Sequence, residues 1–267
     1  MLAKGFAGRQ GVMLSLTGIA ATLGLALTGK LELYIHPRYV PFTVGMAVLA
    51  AAASVAAFIL VPPEGAEGAA GGHIHADGGG HSHTHGHLGA GTGSPGRLRA
   101  AGSLLAVLAA VVGLLVLPPA TLSSEAARQR DLNLSGTLGP AMTGRLVEED
   151  PSSFGVREWA SLLRRSPGDD YFTGKTATVT GFVTAAKDDP QNVFYVTRFV
   201  VTCCTVDAQP VGVPVYRPGW QEQHAADSWV TATGEFTHNP DGDSKVELLL
   251  SPSSVTATTE PDRPYVH

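Results

Sequence analysis

The sequence predicts a chain in two parts: a membrane-embedded α-helical N-terminal part with three transmembrane helices, and a C-terminal all-β, OB-like small barrel with short helices. Three observations predict it. Three long apolar runs, each free of Asp, Glu, Lys and Arg, fall within the first 117 residues. Charged residues make up only 15% of the 267-residue chain, against about a quarter in an ordinary globular domain, and the deficit is concentrated in those runs. Beyond residue 150, five segments rich in Val, Thr, Phe and Tyr are separated by turn chemistry such as "KDDPQN", "DAQP" and "HNPDGDS".

The first two helices are expected within residues 1–61, from "GVMLSLTGIAATLGLALTG" (11–29) and "FTVGMAVLAAAASVAAFILV" (42–61). Each approaches the roughly 20 residues that cross about 30 Å of hydrocarbon. Gly18, Thr22 and Ala26 recur every four residues in the first; Ala47, Ala50, Ser54 and Ala57, three or four apart, form a similar small-residue face in the second. Small faces allow close approach in lipid, so these helices are expected to dock on each other or on a partner subunit. Neither carries a buried ionisable group, which argues against this chain being a transport conduit by itself. In "YIHPRYVPF" between them, Pro37 and Pro41 break any continuous helix and force a tight reversal. His36 is there either a ligand or partner contact, or an interfacial side chain between the aromatic anchors Tyr34 and Tyr39.

Residues 62–100 are rich in Gly and Ala and are expected to be disordered. Six of the ten histidines fall here: His73, His75, His81, His83, His85 and His87. Neutral imidazole is a ligand for zinc and other divalent transition metals, and an H-x-H alternation favours loose, exchangeable binding over a structural site. The competing reading is a solvated linker. The third helix is expected at 101–117. Lys4, Arg9, Arg97 and Arg99 nearly balance Lys30, Arg38, Arg128 and Arg130. Setting the first group inside, because it lies closest to the spans, puts the C-terminal domain outside the cytoplasmic membrane of a multi-pass protein.

Residues 118–150 show no sustained period and read as a linker, with the soluble domain over 151–267. Trp159, Leu162 and Leu163 share one face of a helix at about 155–165, which Pro167-Gly168 ends. Strands are expected at 175–185, 193–204, 211–216, 228–236 and 245–259, with a short helix in "RPGWQEQHAADS" after the third. That order matches an OB-type Greek-key barrel, with a β-sandwich as its rival. The fold does not bring nucleic-acid binding with it. A net charge of −5 and the lack of a basic, aromatic-studded face argue against that partner. No Ser-His-Asp order with supporting context, phosphate loop or HExxH occurs, so an enzyme is not expected.

The only two cysteines, Cys203 and Cys204, are adjacent. On a regular strand they would point to opposite faces. Three arrangements stand open. A vicinal disulfide is strained, because neighbouring Cα atoms lie about 3.8 Å apart, below the usual window of about 4.4–6.8 Å. Metal ligation at a strand end would enlist Asp207, or His224 or His238 from further away, because two thiolates are half of a four-ligand zinc site. Alternatively one cysteine is a small buried hydrophobe.

Arg198-Phe199, Cys203-Cys204, Asp207-Ala208 and Pro210 together resemble the signature of bacterial YcgQ-type proteins. Tyr34, His36, Pro37 and Pro41 strengthen that resemblance, as does the closing "PDRPYVH" with Pro261, Pro264 and Tyr265. It spans nearly the whole chain except the His-rich loop. The resemblance implies a membrane accessory subunit beside a separate multi-spanning permease subunit, with Arg198, Phe199 and His36 among its marked positions. The alternative function is a membrane-anchored metal- or redox-sensing protein that uses the cysteine pair.

Overall fold

The computed structural model describes residues 2–60, six single positions between 102 and 113, and residues 121–267 apart from 166, 242, 243 and 245. The chain divides into two compact units. Met1–Gly29 and Pro41–Pro118 make one; Lys30–Val40 and Pro119–His267 make the other.

The first unit contains α1 (Leu2–Leu27) and α2 (Val40–Leu60). Their apolar side chains face outward: Met13, Leu27, Phe42 and Ile59 are all more than half exposed. A helix with an apolar exterior and no polar counterface suits hydrocarbon better than water. The hydroxyls of Thr17, Thr22 and Ser54 are satisfied within the helices, donating to the carbonyls of Met13 and Gly18, both at 2.9 Å, and of Ala50 at 2.7 Å. Among the described residues one helix, Pro37–Ala57, is long and apolar enough to cross a membrane. The apolar part of α1, Gly11–Leu27, is shorter at 17 residues, or about 26 Å at about 1.5 Å per residue. Among the described residues the expectation of three spans is therefore corrected to one such helix and one shorter apolar helix. The expected span at 101–117 lies outside the described residues, except for six single positions that are helical. The His-rich segment at 73–87 lies wholly outside them.

The second unit is built on a mixed six-stranded sheet: β1 (Thr176–Ala185), β2 (Val193–Val200), β3 (Gln209–Tyr216), β4 (Trp229–His238), β5 (Leu248–Ala257) and β6 (Tyr265–Val266). The order is β1-β4-β5-β3-β2-β6, and β1 also pairs with β2, so five strands close into a ring. Pairing is antiparallel except for β3 with β5 and β2 with β6. β1 passes from β4 to β2 at Phe182, which is opposite both Trp229 and Thr197. Gly181 makes this handover possible: a Cβ there would collide with the Thr197 carbonyl, so only glycine fits the close crossing.

Three short helices precede the ring: α3 (Ser124–Arg128), α4 (Pro140–Leu146) and α5 (Val156–Arg165). The last follows its expected bounds closely. Gly155 N–H donates to the Glu158 carboxylate at 3.0 Å at its start, and Arg164 and Arg165 occupy its last turn, both favourable to the helix dipole. α5 packs on β1, β2 and β3, setting fully buried Trp159 and Leu162 among Phe194, Val196 and Val213. α6 (Asp169–Phe172) adds Phe172 to the same core, 5.2 Å from the Phe236 ring.

Two sequence expectations change here. The segment read as a linker belongs to the domain: Ala127 and Leu146 are buried, and the Asn133 side chain bonds both backbone groups of Gly212, at 2.7 and 2.8 Å. Asn133 takes φ 60° to do so, a left-handed conformation that asparagine tolerates better than most residues. The helix expected after β3 is a single 3₁₀ turn, Trp220–Glu222.

Candidate functional site

β2 stops at Val200, four residues earlier than its composition suggests, because the following amides find partners outside the ladder. Val201 N–H donates to the Val266 carbonyl at 3.1 Å. The Asp207 carboxylate then gathers three successive amides: Cys203 at 2.9 Å, Cys204 at 3.3 Å and Thr202 at 3.4 Å. Asp207 opens onto a 3₁₀ turn, Thr205–Asp207, in which the Cys204 side chain accepts from the Asp207 amide in return. This is a capping box with cysteine at the N-cap. The pair therefore sits in a turn beyond the strand, and strand alternation does not force the two side chains to opposite faces.

Both cysteines are free thiols; Cys203 is exposed and Cys204 half-buried. Cys204 hydrogen-bonds the Cys203 thiol and pushes its pKa up, as do burial and Asp207 to a lesser extent, while Arg38 opposes the rise. Neither cysteine is lost in the core, and the two thiols remain neighbours.

A second segment meets this loop. Ile35 forms an isolated antiparallel bridge with Cys204. His36 N–H donates to the Cys203 carbonyl, and Thr205 N–H to the Tyr34 carbonyl, each at 2.9 Å. The His36 ring caps the 3₁₀ turn Pro37–Tyr39, its Nδ1 accepting from Arg38 N–H at 3.1 Å. In the neutral ring this places the proton on Nε2. Burial first, then His267 and Arg38, lower the pKa of His36, and Asp207 partly offsets them.

A third segment is the chain's closing stretch. His267 lies against His36 with ring centroids 4.5 Å apart, and its Nδ1 is 3.3 Å from the Val201 carbonyl. Arg198 secures this stretch: Nε donates to the Pro264 carbonyl at 2.8 Å, a second guanidinium nitrogen donates to Arg263, and the group stacks on Trp229. Phe199 is fully buried, stacked on Phe182 and paired with Tyr265 across β2 and β6. Both marked residues thus position the segment that carries His267. An exposed pair, Arg263 with Glu32 at 3.5 Å, joins the closing stretch to Lys30–Val40; such pairs contribute at most about 1 kcal/mol.

The site therefore unites Cys203, Cys204 and Asp207 with His36, as the sequence suggested in part, and adds His267, which sequence reasoning missed. The other histidines weighed as donors sit in the sheet domain: His224 is buried beside Phe194, and His238 closes β4 opposite Leu248. Among the described residues no three His, Cys, Asp or Glu side chains form a ready-made metal centre. Elsewhere, two adjoining clefts of about 390 and 490 Å³ share Leu132, Tyr195 and Val246. The Tyr195 phenol there is pushed up to about 12 by burial and then by Asp188. Arg128, Arg130 and Lys187 line the first of these clefts together with Asp131, Asp188 and Asp189, so charge selects no ligand.

Comparison with known families places the two halves of this site. The DUF1980 N-terminal domain matches residues 12–133, and the DUF1980 C-terminal domain matches 158–267. The chain belongs to the DUF1980 family. No curated protein and no solved structure matches it. His36 lies in the N-terminal DUF1980 domain, while Cys203, Cys204, Asp207 and His267 lie in the C-terminal one. The contacts of Tyr34, Ile35 and His36 with the cysteine loop, like the bonds of Asn133 to Gly212, therefore join residues of the family's two domains.

Proposed function

We propose that this DUF1980 chain is a multi-pass membrane accessory subunit of a two-component permease, with an extracytoplasmic, OB-type sheet domain that offers a metal-linked thiol site to a multi-spanning partner. One observation carries the reading. The segment that ends at the first turn of the membrane-compatible helix is also the segment bonded to the Cys203–Thr205 backbone. A site tied in this way to a membrane helix suits a subunit that presents or receives a solute at the membrane. The closed strand order with its parallel β3–β5 pair supports the OB-type reading. The apolar outward faces of α1 and α2 support docking on another membrane protein. The YcgQ-type resemblance of Arg198-Phe199, Cys203-Cys204 and Asp207-Ala208 points the same way. No catalytic role is part of the proposal.

The second reading, a membrane-anchored metal or redox sensor, draws on the exposure of Cys203 and needs no partner. Co-expression separates the two. A tagged chain expressed with its multi-spanning partner is expected to co-purify with it in mild detergent. A solitary chain that retains full function would remove the accessory-subunit reading and leave the sensor.

A further inference from the structure

The two clefts beside Tyr195 share a wall that strand register builds. Thr184 of β1 is directly opposite Tyr195 of β2, and one rung further on Ala186 N–H donates to the Val193 carbonyl at 3.1 Å. Residues two apart on a strand share a face, and cross-strand partners point the same way. Thr184, Ala186, Val193 and Tyr195 therefore stand together on the face turned away from the core residues Val183, Phe194 and Val196. All four line the cleft of about 390 Å³, with Leu132 and Val246 adding to its apolar lining.

Two hydroxyls stand in that wall. Thr184 is only 4% exposed, and its Oγ1 is buried with no hydrogen-bond partner among the described residues. A buried hydroxyl costs free energy until something bonds to it. The Tyr195 phenol, held up at about 12, stays protonated through the physiological range and can both donate and accept. The wall itself carries no charge. Arg130 and Asp189 are engaged in the fold, Arg130 donating to the Ala208 carbonyl at 2.7 Å and Asp189 accepting from the Asn192 side chain at 3.0 Å. The exposed rim sets Arg128 and Lys187 against Asp131 and Asp188, so its signs cancel. The second cleft, about 490 Å³, adjoins the first through Tyr195, Leu132 and Val246. Both volumes fall in the range of small-molecule sites.

We propose that these adjoining clefts bind an uncharged, disaccharide-sized sugar, with Thr184 and Tyr195 as its hydrogen-bonding contacts. A sugar ring is neutral, carries hydroxyls that pair with hydroxyls as donor or acceptor, and presents C–H faces that suit Ala186, Val193 and Leu132. At the rim, carboxylates accept from adjacent diol hydroxyls and guanidinium groups donate to them. A charged ligand would instead set its charge against a wall that offers no opposite one. The site uses none of the residues of the thiol turn and does not rest on the metal-linked reading of it.

The test uses the full-length chain in a detergent without a sugar headgroup, with maltose, cellobiose and trehalose as probes. Isothermal titration calorimetry is expected to show saturable binding of at least one of them, one per chain, with a Kd below about 10 mM. Thr184→Val removes one hydroxyl at nearly constant shape, and Tyr195→Phe removes the other; each should weaken that binding about tenfold. Thr184→Val is also expected to leave the melting temperature unchanged or higher, because a buried hydroxyl without a partner stabilises nothing. A lowered melting temperature with unaltered affinity would mean that water or another part of the chain satisfies Thr184, and would overturn the proposal. Failure of all three sugars to bind would overturn it too, as would tighter binding of glycylglycine or citrate. Replacing both cysteines by serine leaves this titration unchanged, so the sugar site and the thiol site fail separately.

Discussion

The interior of the strand ring and the turn beyond β2 lie a few residues apart on the same strand, yet different forces hold them. Trp159, Phe194, Val196 and Phe236 sit in a continuous apolar core, where the stabilising quantity is area removed from water. The turn over residues 201–208 is held by directional bonds to Tyr34, His36, Val266 and its own Asp207. The difference teaches where change is tolerated. A core fails as a unit when volume is removed, whereas a bonded turn can open locally at low cost and leave the core intact. The thiols belong to the second kind of region, where a site can alter its state without unfolding the domain.

The largest expected effect tests the core side of this contrast. Trp159→Ala should destabilise the sheet domain by about 3–5 kcal/mol, read as a lowered urea midpoint of the sheet's circular dichroism. Asp207→Ala removes one charged acceptor from three amides and should cost about 1–2 kcal/mol. That loss should be confined to faster hydrogen exchange at Thr202, Cys203 and Cys204. If Asp207→Ala lowered the global midpoint as much as Trp159→Ala, the contrast between the two regions would collapse.

The smallest effect concerns pH. His36 is held below its usual value of 6.5, partly by His267, so the folded state favours the neutral ring. Its contribution to stability is complete above the ordinary imidazole range and is lost as pH falls through the lowered folded value. Protonation fills Nδ1 and removes the acceptor that caps Arg38. His267→Ala takes away a like charge, so the His36 midpoint should move up towards 6.5, as read by NMR of the labelled imidazole. A midpoint that stayed put would mean that the two rings do not interact in solution.

Much of this was legible in the sequence, for a physical reason. The five long strands and α5 are periodic, and each placed its apolar residues where composition expects them, within a few positions. What escaped was short or non-local. α3 has five residues, too few for a helical period to declare itself, and the stretch after it is ordered by Asn133 bonding to Gly212, 79 positions away. β6 has two residues, so nothing but Tyr265 hinted that the closing stretch returns to the sheet and brings His267 with it. The early end of β2 did have a signal: an aspartate three residues after Cys204, at capping-box spacing, competes with the ladder for its amides.

The single-residue bridge between Ile35 and Cys204 has a mechanical consequence. Only the three residues of the Pro37–Tyr39 turn separate His36 from the start of α2, and Pro37, the first of them, fixes its own φ. Tension applied at the sulfurs therefore reaches the backbone of Tyr34 and His36 through two hydrogen bonds, like a line run from a hook to the cleat it is tied to.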